Sequence, residues 1–138
     1  MPKPFALISS SVIKAQDFFA ILREIGGIIE DTEALEGRLS RGEEQVWVCL
    51  DNGLLKDYEA DEVELISQKL GGKPQSHILL DVSRTEGSER LAVEFASACA
   101  ESWPCVVYNL RDKVFSAQDV ARLRHAGVGF EEVLQETS

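Results

Sequence analysis

The chain has 138 residues, of which 44% are hydrophobic and 28% charged, a composition that fits a single globular domain spanning residues 1–138 and excludes a disordered or fibrous chain. Its 14 basic and 24 acidic side chains leave a net charge of −10, which disfavours nucleic acid or an anionic membrane face and makes a basic protein the natural partner. The uncharged stretch Pro4 to Ile13 is too short to span a bilayer and lacks a signal-peptide cleavage pattern, so a cytoplasmic protein is expected.

Taken in chain order, Phe5 to Ser9 predicts a short strand, and Phe18, Phe19, Leu22 and Ile25 predict an amphipathic helix closed by Gly26-Gly27. Ile28 and Ile29 open a segment expected to be buried. Between Ala34 and Ser40, Leu35, Gly37 and Leu39 alternate with charged residues, predicting a half-exposed strand that Arg41-Gly42 turns back onto the next one as an antiparallel pair. Val46 to Leu50 is apolar at every position, as a strand covered on both faces requires, and Asp51-Asn52-Gly53 ends it in a turn.

A helix is expected at about residues 61–70, with Asp61 and Glu64 at capping-box spacing and Gly71-Gly72 as its stop. His77 to Val82 predicts a strand. The helix after it starts near Ser88, with Leu91, Phe95, Ala98, Cys99 and Ser102 on its inner stripe and Pro104 beyond its end. Cys105 to Tyr108 predicts a third strand, and a last helix runs from the Ser116/Asp119 capping box to Gly127 with Val120 and Leu123 inward. Helix-bearing connections of this length suggest parallel strands joined by crossovers. The expected fold is therefore α/β, with a mainly parallel central sheet from about residue 45 onward, an N-terminal β-α element and an antiparallel edge strand.

The charge is concentrated in one stretch. Residues 30–64 hold twelve carboxylates, Glu30, Asp31, Glu33, Glu36, Glu43, Glu44, Asp51, Asp57, Glu59, Asp61, Glu62 and Glu64, against Arg38, Arg41 and Lys56, a net of −9. The functional expectation follows from this. The chain is expected to be a non-enzymatic interaction protein, such as an inhibitor, immunity protein or antitoxin, that sets Glu30, Asp31, Glu33, Glu36, Glu43, Glu44, Asp57 and Glu59 against a basic, nuclease-like surface. A solvated acidic face that simply maintains solubility would carry the same charge.

The alternative expectation is a small Mg²⁺-dependent enzyme or phosphate-binding domain. In parallel sheets ligands bind beyond the carboxyl ends of the strands, and Asp51, Asp81 with Ser83 and Arg84, and Asn109 with Arg111 all follow strands in this sequence. On that reading Asp51 and Asp81 share an ion, while Arg84, Arg111 and the Gly87-Ser88 amides receive phosphate. Asp, Asn and Ser also favour turns for purely local reasons. The sequence has no GxGxxG, P-loop, GxSxG or HExxH pattern, so no cofactor and no catalytic residue is expected. Cys49, Cys99 and Cys105 show neither disulfide nor zinc spacing and are expected as small core residues. His77, His125, Trp47 and Trp103 are likewise expected to be structural.

Overall fold

The computed structural model describes residues 3–130. In chain order these form β1 (Lys3–Ser9), α1 (Ala15–Glu24), β2 (Ile28–Asp31), β3 (Glu36–Arg41), β4 (Glu44–Leu50), a 3-10 helix (Asn52–Asp57), α2 (Ala60–Leu70), β5 (Ser76–Val82), α3 (Ser88–Ser102), β6 (Cys105–Tyr108), β7 (Val114–Phe115) and α4 (Ala117–Ala126). The strands make a single sheet in the order β2-β3-β4-β5-β1-β6-β7. Every neighbouring pair in it is antiparallel.

An all-antiparallel sheet overturns the expected mainly parallel one. The expectation assumed that each helical connection crosses to a parallel neighbour. After β4, however, the chain passes through the 3-10 helix and α2 and re-enters at the end it left, so β5 runs back beside β4, with Leu50 opposite Ile78 and Val46 opposite Val82. β5 and β6 do point the same way, yet they never pair. β1 lies between them and is antiparallel to both, with Leu7 opposite Ile78 on one side and Val107 on the other.

The expected hairpin of β3 and β4 is present, turning at Gly42, whose φ of +62° suits a residue without Cβ. The last helix also has its expected ends. Ser116 Oγ accepts from Asp119 N–H at 3.1 Å, and Gly127 takes the left-handed cap. α2 is capped two residues earlier than expected, by Glu59 and Glu62 rather than Asp61 and Glu64, since the Glu62 carboxylate accepts from Glu59 N–H at 2.9 Å. On α3 the buried stripe is Leu91, Ala92, Phe95, Ala96 and Cys99, with Ser102 exposed.

One face of the sheet is closed. Phe18, Ile21 and Leu22 of α1, the α3 stripe, and Val120 and Leu123 of α4 pack on Phe5, Leu7, Leu39, Val46, Val48, Leu50, Ile78, Leu80, Val82 and Val107. Gly37 lets α1 approach closely, because Leu22 occupies the space a Cβ there would need. The other face has less cover, and that difference positions the candidate site.

Candidate docking face

The second face divides in two. Over β1, β6 and β7, Ile66 and Leu70 of α2, with Leu55 and Tyr58, pack on Ala6, Ile8, Val106, Tyr108 and Val114. α2 reaches β6 and β7, and the 3-10 helix reaches β5. Side chains alternate along a strand, so the remaining half, over β2 to β5, is lined by residues opposite in phase to the core. Cross-strand register sets them in rows: Ile28, Arg38, Trp47, Asp81 and Pro4 in one, Glu36, Cys49 and Leu79 in the next.

This half is open. Ile28 is 48% exposed and Trp47 37%, so neither has the buried role expected of it. Cys49 and Leu79 are half-buried. The run Val46 to Leu50, read as a strand covered on both sides, is covered on one side only, with Val46, Val48 and Leu50 inward. The strands apolar on both faces are β1 and β6, each clad by helices on both sides.

Carboxylates surround the open half. The Cys49 thiol is pushed above its ordinary range, first by burial and then by Glu36, Asp51 and Asp81, which all act on it. Asp81 itself is pushed up by burial. Along the outer strands, Glu30 receives the Arg38 Nε–H at 3.0 Å, and Asp31 Oδ1 accepts from the Glu33 and Ala34 N–H groups at 3.0 Å each, which closes the β2–β3 turn.

Glu44 is used differently. Its carboxylate lies against Gly87 at the N-terminus of α3, where an anion suits the helix dipole. Arg41, the second cation of the acidic stretch, donates through its Nη1 to Glu94 of α3 at 3.0 Å. Among the described residues, then, Glu33, Glu36, Glu43, Asp57 and Glu59 make no ion pair with Arg38, Arg41 or Lys56. Four of the eight expected partner-facing residues, Glu30, Asp31, Glu33 and Glu36, lie along the β2–β3 side. Glu43 and Glu44 sit at the β3–β4 turn, and Asp57 and Glu59 on the 3-10 and α2 side.

The alternative cluster does not assemble as expected, because antiparallel strands end alternately at opposite edges. Asp51 N–H donates to the His77 carbonyl at the start of β5. Asp81 lies four residues further along that strand, about 13 Å away at the usual strand rise. Asp51 instead caps the 3-10 helix, accepting from Gly53 N–H at 3.1 Å. At the far end Ser83 Oγ accepts from Thr85 N–H at 3.1 Å, and Asn109 Oδ1 accepts from the Arg111, Asp112 and Lys113 N–H groups at 3.0 Å each. Arg84, Asn109 and Arg111 do meet there, lining a cavity of about 300 Å³ with Lys3, Pro4 and Leu110. Among the described residues no three His, Cys, Asp or Glu side chains are placed to hold a metal ion, and no helix is long and apolar enough to cross a membrane.

Sequence reasoning missed a polar network beneath α2. His77, 1% exposed, shares a 2.7 Å hydrogen bond with Tyr58 through Nε2, while its buried Nδ1 has no partner. Burial holds it neutral, with a pKa lowered to about 4, against the opposing pull of Asp51 and Asp57. Tyr108 donates to Glu62 at 2.7 Å and stands edge-on to Tyr58. The apolar run around His77 was the only signal available, and Tyr58 and Tyr108 carried none.

No protein-family model, curated protein or solved structure matches this chain. The functional reading therefore rests on the open, acid-edged half of the sheet.

Proposed function

We propose that this chain acts by binding, as a non-enzymatic acidic protein that covers a basic partner, in the manner of an inhibitor, immunity protein or antitoxin shielding the phosphate-binding face of a cytoplasmic nuclease. The observation that carries this reading is the uncovered half-face of β2 to β5. It exposes Trp47 and Ile28, and Glu33 and Glu36, which make no ion pair among the described residues, border it beside the Glu30–Arg38 pair. An aromatic anchor within a charged rim is the usual anatomy of a protein interface. Concentrated opposite charge speeds encounter by 10- to roughly 1000-fold. That matters when a toxic partner has to be captured before it acts.

The test is stopped-flow association with small basic nuclease domains whose phosphate-binding face is exposed. The wild type is compared with a triple variant, Glu33→Lys, Glu36→Lys and Glu43→Lys. The expected result is nuclease inhibition, an on-rate that falls as salt rises, and an association at least tenfold slower for the triple variant. Screening acts over about 8 Å at physiological ionic strength, so salt should mimic the mutations. Equal on-rates at low salt would remove the reading.

A further inference from the structure

Resting on the docking face just described, we infer that Trp47 and Asp81 form a receptor for an arginine side chain of the partner, its guanidinium stacked on the indole and paired with the carboxylate. The two residues are direct cross-strand neighbours on β4 and β5. Facing side chains in such a pair stand about 5 Å apart at Cβ. Trp47 is flanked on its other side by Arg38, which is tied to Glu30 at 3.0 Å. Among the described residues the cation that lies over an aromatic ring is Lys113 on Phe115, so the indole face has no such occupant.

Asp81 complements the ring. It is half-buried, it makes no side-chain hydrogen bond or ion pair among the described residues, and burial alone raises its pKa. A carboxylate that has lost part of its hydration without gaining a partner is a site where an incoming cation restores what water no longer supplies. Glu36 lies in the neighbouring row, opposite Cys49.

The shape of the site selects among cations. A planar guanidinium can lie flat on an indole while turning in-plane N–H groups toward an adjacent carboxylate, whereas a compact, strongly hydrated ammonium does one or the other. Cys49 and Leu79 line the floor beside it and favour the less hydrated group. The partner is therefore expected to present arginine rather than lysine at the centre of its contact.

Two peptides of equal length and charge, one arginine-rich and one lysine-rich, serve as probes, with affinities measured by titration calorimetry in every variant and the site of contact followed on the Trp47 indole N–H resonance of the wild type. The inference expects the arginine peptide to bind at least about fivefold more tightly. That preference falls to near unity in Trp47→Leu and in Asp81→Asn and is largely kept in Trp47→Phe, with each variant's fold checked by thermal unfolding. The Glu33, Glu36 and Glu43 reversal weakens both peptides alike.

If both peptides bind equally and Trp47→Leu and Asp81→Asn change nothing while the charge reversal still weakens both, the arginine site is overturned and the acidic docking reading survives. If neither peptide binds, or the reversal has no effect, both fall together. If sedimentation shows the free chain self-associating, and dilution shifts the Trp47 resonance, a second copy occupies the face and the arginine site is likewise overturned.

Discussion

The two faces of the sheet differ in what covers them. On one, α1, α3 and α4 seal an apolar layer that reaches from Leu39 on β3 to Val107 on β6. On the other, α2 and the 3-10 helix seal the β1–β6 side and leave β2 to β5 with Trp47 and Ile28 in solvent. The first face holds the fold together and is closed to partners. The β2 to β5 half of the second has no such cover, so changes that would unfold the protein through the first face should be tolerated there.

The sharpest way to break this comparison is a matched pair of truncations. Phe95→Ala, in the closed core, should cost about 3–5 kcal/mol, whereas Trp47→Ala should cost about 1 kcal/mol or less, as a surface change does. Urea unfolding measures both. Similar losses would make the second face structural core.

A somewhat smaller effect comes from His77. Its folded pKa of about 4 lies below its ordinary 6.5, so the unfolded chain binds the proton first. Stability is therefore fully present above pH 6.5 and is lost as pH falls toward 4, by on the order of 3 kcal/mol for this group. His77→Gln should unfold more easily at pH 7.5 and show a flatter dependence between pH 6.5 and 4. A slope equal to that of the wild type would mean that other groups set it.

Next comes the attachment of α2. Tyr108→Phe removes the 2.7 Å hydrogen bond to Glu62 and should cost about 1 kcal/mol. Hydrogen exchange should quicken in α2 and leave α3 and α4 unchanged. Uniform quickening would show α2 to be part of the same cooperative unit as the closed face. The smallest effect on stability belongs to Glu33, Glu36 and Glu43, where each reversal to Lys should move the unfolding free energy by about 0.5 kcal/mol or less.

Features decided by neighbours in sequence were legible before the structure. The hairpin at Gly42, the Ser116 cap and the left-handed stops at Gly71 and Gly127 all depend on a few adjacent residues. Strand partners were not legible, because the direction in which a long connection returns is set by which face its helix finds. α2 lies against β6 and β7, and from there the chain comes back beside β4 as β5.

The same ambiguity hid the open face. An apolar run such as Val46 to Leu50 looks alike whether a helix of the same chain or a separate partner is to cover its outer side. Of the expected partner-facing residues, those on β2 and β3 border that open side. The strand-end residues Asp51, Ser83 and Asn109 turned out to be spent on local caps and turns.

The placement of β1 between β5 and β6 also has a consequence for synthesis. Its hydrogen-bonding edges face residues 76–82 and 105–108, so β1 leaves the ribosome with neither partner yet made. At about 5–20 residues per second, the first of them arrives on the order of 3 to 15 seconds later. Until Tyr108 has emerged, Phe5, Ala6, Leu7 and Ile8 form an apolar strand with an unpaired edge, which is the kind of segment that aggregates and that chaperones hold. The order of the strands thus makes completion of the sheet a late event, and a chain truncated anywhere before β6 carries that exposed edge permanently.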